Sequence, residues 1–173
     1  MITTVKLAAM LATLAGGSLF VSAAQASTAS DTFDVSLTIT AACSITAGSS
    51  ADIDLASVAS TATDLDGSSD ITVKCSNTVP YYVGLAPSSG ANTGAGLLTP
   101  AGASPDDVPY QLRSSAGTTG AVWGNTATTS AVGNGVAGTG SGADQTLTVY
   151  VTAPSANYAP DTYSDTVTVT VNY

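Results

Sequence analysis

Phe33-Asp-Val-Ser-Leu-Thr-Ile-Thr40 carries an apolar side chain at every odd position and a polar one at every even position. Successive side chains of an extended chain point to opposite faces, so Phe33, Val35, Leu37 and Ile39 form one oily edge. The same alternation returns near the other end, in Tyr163-Ser-Asp-Thr-Val167-Thr-Val169-Thr-Val171-Asn-Tyr173, where Val167, Val169, Val171 and Tyr173 share a face. Between them stand Ile53-Asp-Leu55, Ile71-Thr-Val73-Lys-Cys75, Tyr81-Tyr-Val-Gly-Leu85, Val108-Pro-Tyr-Gln-Leu112, a short Ala121-Val-Trp123, and Leu147-Thr-Val149-Tyr-Val151. Short alternating segments separated by turn residues predict an all-β, antiparallel β-sandwich. Residues 88–105 and 116–144, rich in Gly, Ser, Thr, Ala and Asn, read as long loops.

Composition supports strands over helices. The 173 residues include 17 Gly and 27 Thr but no Glu and only 3 Lys and Arg together, a poor stock of charged helix formers. His is absent, which removes the imidazole base of most nucleophilic triads and the nitrogen ligand of most zinc sites. A formal charge of −9 repels phosphate backbones and anionic headgroups, so no nucleic-acid partner is expected.

Residues 1–26 read as an export signal. Lys6 precedes an apolar run over residues 7–21, and Ala24-Gln-Ala26 is a small-x-small cleavage pattern. The run is interrupted by Gly16-Gly17 and falls short of the ~20 residues that span a bilayer. Cleavage leaves 147 residues (173 − 26), the size of one domain, and no later segment is expected to enter a membrane. Export exposes Cys43 and Cys75 to oxidants, and a disulfide is the expected state. It would close a loop of about 33 residues and stabilise by about 3.5 kcal/mol in the loop-entropy picture. Free thiols or a metal pair are the rival readings, but no His and no other Cys completes a ligand set.

The paired aspartates, Asp52/Asp54, Asp64/Asp66, Asp106/Asp107 and Asp161/Asp165, have the residue type for glycoside hydrolysis or calcium binding. Each sits among turn residues, where Asp bonds local backbone. Asp64-Leu-Asp66-Gly67 resembles part of a calcium loop, yet Ala62 and Val73 stand at its first and last ligand positions. No catalytic, cofactor or metal site is expected, and the chain is not expected to be an enzyme. Trp123 and the seven Tyr offer a sugar platform or, more cheaply, core packing.

From the residues alone, the 33–40 segment is either an ordinary first strand or a strand offered to another molecule. A resemblance bears on that choice. Four features occur in order: the alternating segment before Cys43, Ile-Thr-Val-Lys-Cys75, Val-Pro-Tyr110-Gln-Leu112 followed by Val122-Trp123-Gly124, and the ending from Asp161 through Tyr163 and Asp165 to Tyr173. Together they resemble the pilin subunits of archaic chaperone–usher pili, whose domain is also called the spore coat protein U domain. The closing motif of that family usually has Gly where this chain has Thr162.

The resemblance implies an immunoglobulin-like sandwich that lacks its last strand and is completed by a donor strand. Residues 27–42 would be the donor segment, with Phe33, Val35, Leu37 and Ile39 inserting. Residues 43–173 would be the incomplete pilin domain, with Val167, Val169, Val171 and Tyr173 at the groove and chaperone edge. Implied partners are a periplasmic chaperone, an outer-membrane usher and neighbouring copies of the same chain, and the implied destination is a surface fibre for adhesion or biofilm, reached through the periplasm. A secreted spore-coat or surface-coat protein, or a carbohydrate-binding module or adhesin, are the alternative functions.

Overall fold

A computed structural model describes residues 25–90 and 92–173; all but the last two residues of the expected export signal lie outside the described residues. The chain divides into two units, residues 1–37 and 38–173. The described residues of the first, 25–37, are exposed and hold no strand.

The second unit holds β1 (Cys43–Thr46), β2 (Thr63–Cys75), β3 (Pro80–Pro87), β4 (Ala95–Pro100), β5 (Val108–Arg113), β6 (Val136–Thr139), β7 (Gln145–Ser155), β8 (Tyr163–Ser164) and β9 (Val167–Asn172). They form a six-stranded sheet in the order β1-β2-β7-β5-β4-β8 and a three-stranded sheet in the order β6-β3-β9. Every pairing is antiparallel. In immunoglobulin terms β1, β2, β7 and β5 take the places of strands A, B, E and D, and β3 and β9 those of C and F. The position of strand G, on the outer side of β9, is empty among the described residues. No α-helix occurs among them, and none of their helices is long and apolar enough to cross a membrane.

Alternation explains the core. Ile71, Val73 and Cys75 of β2, Tyr81, Val83 and Leu85 of β3, Tyr110 and Leu112 of β5, and Val149, Val151 and Ala153 of β7 point inward and are buried. Trp123 joins them, and its indole N–H donates to the Val83 carbonyl at 2.8 Å, so its polar atom is satisfied inside the core. Two tyrosines lie across glycines of the neighbouring strand: Tyr81 opposite Gly138 and Tyr110 opposite Gly96. A Cβ on Gly96 would stand 2.2 Å from the Tyr110 ring, so only glycine leaves room for that ring.

Several expected elements differ. Residues 33–40 alternate but form no strand among the described residues; an extended segment needs a partner ladder to be stable as one. Ile53-Asp-Leu55 is not a strand either, though Ile53 and Leu55 are half-buried and Asp52 and Asp54 exposed, as the alternation requires. β4 and β6 arise inside stretches read as loops, and β1 was unmarked. The closing segment, read as one strand, is two: β8 belongs to the six-stranded sheet and β9 to the other.

Candidate functional site

The empty position beside β9 opens on an apolar groove within the sandwich. Its cavity measures about 1170 Å³. Leu85, Leu112, Val149 and Val151 form its floor, and Val167 and Val169 of β9 line it from the edge of the smaller sheet. Ile53 and Leu55 line it too; their side chains rest on the backbone of β2 at Gly67, where an added Cβ would come within 2.8 Å of Ile53. Among the described residues β9 pairs with β3 on one side only. On the other side, alternate N–H and C=O groups of an edge strand face outward beside the apolar hollow. An edge strand beside an apolar hollow is the arrangement that strand addition uses in general.

Polar residues share the lining, and one cluster of them stands where β9 begins. The Tyr110 hydroxyl donates to Asp165 Oδ2 at 2.7 Å, and Asp165 Oδ1 accepts the Thr166 N–H at 2.7 Å and the Ser88 hydroxyl. Burial, the hydrogen bond to Asp165 and that carboxylate's charge, in that order, raise the Tyr110 phenol well above its ordinary pKa. Nearby, the Tyr163 hydroxyl donates to the Ala159 carbonyl at 2.7 Å, and Ser104 Oγ lies 3.0 Å from it.

The residues singled out in the sequence fall into three groups. Val167 and Val169 line the groove, Val171 packs against the core, and Tyr173 is about half exposed. Phe33, Val35, Leu37 and Ile39 are all more than four-fifths exposed, at 87, 87, 84 and 82%. Cys43 and Cys75 stand directly opposite each other on β1 and β2 and form a disulfide, with Cα atoms 4.1 Å apart. That bond fastens the first residue of the domain's first strand to the end of β2.

Several of the paired aspartates hold backbone or side-chain donors. Asp64 and Asp66 lie within β2, where Asp66 pairs with Thr152 of β7 and Asp64 takes a left-handed backbone with φ 54°. Asp54 accepts the Ala56 N–H at 2.8 Å, and Asp161 accepts the Thr162 N–H at 2.8 Å together with that of Gly102. No group of three or more His, Cys, Asp or Glu among the described residues is placed to hold a metal. Trp123, Tyr81 and Tyr110 are buried and cannot present a sugar platform. Sequence reasoning missed the contribution of residues 51–60 to the groove, and it filed Asp165 with Asp161 when its partners are Tyr110 and Ser88.

A family model described as the Spore Coat Protein U domain matches residues 29–170. The chain belongs to that family. The match takes in the exposed 33–39 segment, both cysteines and the whole groove of this Spore Coat Protein U domain. No curated protein matches it. Among solved structures it is similar to the CsuC–CsuE chaperone–tip adhesion subunit pre-assembly complex from the archaic chaperone-usher Csu pili of Acinetobacter baumannii, at 20% identity and a TM-score of 0.49. That likeness covers 79% of this chain and 40% of the other, so the Spore Coat Protein U domain spans well under half of its neighbour's length.

Proposed function

We propose that the protein is a structural subunit of an extracellular pilus, in which residues 33–39 of one copy fill the groove of the next. The observation that carries this reading is the groove of about 1170 Å³ beside the half-paired strand β9, in a chain whose strand-patterned segment at 33–39 is exposed and forms no strand among the described residues. Side chains two apart on a strand repeat every ~6.8 Å, and so do Val167 and Val169, so an inserted strand interleaves with β9 in step. Each of Phe33, Val35, Leu37 and Ile39 gains about 1.5–3 kcal/mol on leaving water. That gain, together with the backbone ladder to β9, works against the entropy lost in ordering the segment.

An unfilled groove is an aggregation hazard. A periplasmic chaperone that lends a strand would protect it until an outer-membrane usher presents the next copy, and the product would be a surface fibre of identical subunits. The test is a chain lacking residues 27–38. It should fail to form the denaturant-resistant multimers expected of the intact chain, and a synthetic peptide of residues 30–41 should raise its melting temperature, because a ligand specific to the folded state stabilises it. A truncated chain that assembles normally, or ignores the peptide, would refute strand insertion through this segment.

A further inference from the structure

We propose that Asp165 is the positioning residue of the groove, a polar strut that holds the two sheets apart and sets the edge of β9 for strand insertion. The inference rests on the strand-insertion reading above and adds to it the device that keeps the site open.

Between the end of β8 in the six-stranded sheet and the start of β9 in the other, only Asp165 and Thr166 carry the chain across. The Asp165 carboxylate holds donors from both sides of that gap. Tyr110 belongs to β5 of the larger sheet, Ser88 directly follows β3 of the smaller one, and the Thr166 N–H belongs to the crossing itself. Tyr110 is buried, with its ring across Gly96, so its hydroxyl is a fixed anchor. Val167, the first groove-lining residue of β9, follows two positions later.

A strut is needed because the hollow is unstable by itself. Protein interiors close on empty apolar space, since unfilled volume forfeits both transfer and dispersion energy. The packing of the sheets resists that closure in part, and groups whose separation is fixed by hydrogen bonds across the opening resist it further. The Tyr110–Asp165–Ser88 chain spans the sheets at the point where β9 begins, and it is polar, so closing the groove over it would cost its hydrogen bonds.

The test uses the exported chain and a labelled synthetic peptide of residues 30–41, followed by fluorescence anisotropy, beside thermal melts without peptide. Asp165→Asn removes the charge while keeping the size, and Tyr110→Phe removes only the hydroxyl, so the second carries the test if the first folds poorly. Each should weaken peptide binding at least tenfold. The double variant should be no weaker than the worse single one, because both break one linkage. Val73→Ala, a truncation of a buried residue that does not line the groove, serves as the control for simple destabilisation and should lower the melting temperature while changing peptide affinity less than twofold. Wild-type affinity in Asp165→Asn and Tyr110→Phe overturns the strut, and so does an equal loss in Val73→Ala. Failure of the wild-type chain to bind the peptide sinks strand insertion itself, a different outcome from either.

Discussion

Replacing Leu37 with Asp changes one side chain that is 84% exposed. Its effect on the stability of the isolated subunit should therefore be small, within about 0.5 kcal/mol. Assembly should respond quite differently. Insertion of Leu37 into a groove floored by Leu85, Leu112, Val149 and Val151 gains about 1.5–3 kcal/mol, which the variant forgoes. The new carboxylate must also leave water for an apolar lining, at a further cost of several kcal/mol. A total of about 4–5 kcal/mol is a loss of roughly a thousandfold or more in subunit–subunit affinity. Ser36→Asp puts the same charge on the opposite face of the strand, where the pleat keeps it out of the groove, and should change assembly little. Unheated denaturing gels score multimers and light scattering scores their concentration dependence. Equal damage at positions 36 and 37, or normal multimers from Leu37→Asp, would refute the register.

Three other perturbations follow from the geometry. Cys43→Ala removes the bond between β1 and β2 and should cost about 2–5 kcal/mol, seen as a sharply lower exported yield; thiol titration of the native protein should find no free cysteine among residues 25–173. Gly96→Val sets a side chain where the Tyr110 ring lies, and overpacking of about 1–3 kcal/mol should appear as a lower melting temperature together with weaker peptide binding, since the displaced ring carries the Asp165 partner. Alkaline stability should depend on Tyr110. Its folded pKa is raised above the ordinary 10.0, chiefly by burial, so its contribution is fully present below pH 10 and is lost above it, by about 1.4 kcal/mol per pH unit. Urea melts between pH 9 and 12 should show that decline, and Tyr110→Phe should flatten it; Tyr81, raised in the same direction by burial, leaves a residual slope.

Most legible in the sequence were the inward faces that alternation marks. Ile71 to Cys75, Tyr81 to Leu85, Val108 to Leu112 and Leu147 to Val151 became the inward faces of β2, β3, β5 and β7 because each pattern has an unambiguous oily side. β4 and β6 escaped because their inward positions include Gly96 and Gly138, which read as loop residues; their role is to receive the rings of Tyr110 and Tyr81 from the strand alongside, a pairing no local window contains. The break at Asp165–Thr166 was hidden for a related reason. Alternation runs straight through it, and only the partners of β8 and β9, β4 and β3, assign the two halves to different sheets. The groove was the least legible feature, because it depends on which strands face one another and on a position left empty. The segment at 33–40 shows the limit from the other side: its pattern declares a strand, but the partner is not among the described residues.

The central claim, that the groove of one copy takes residues 33–39 of another, is tested most directly by a photo-crosslinking amino acid at position 37. Isotope-labelled and unlabelled chains, mixed before assembly, let mass spectrometry separate bonds between copies from bonds within one. The account predicts cross-links between copies to groove residues such as Val149, Val151, Val167 and Val169, and their loss when the probe moves to position 36. Cross-links from position 37 that stay within a single chain, or that reach the outer faces of the sheets, would contradict it.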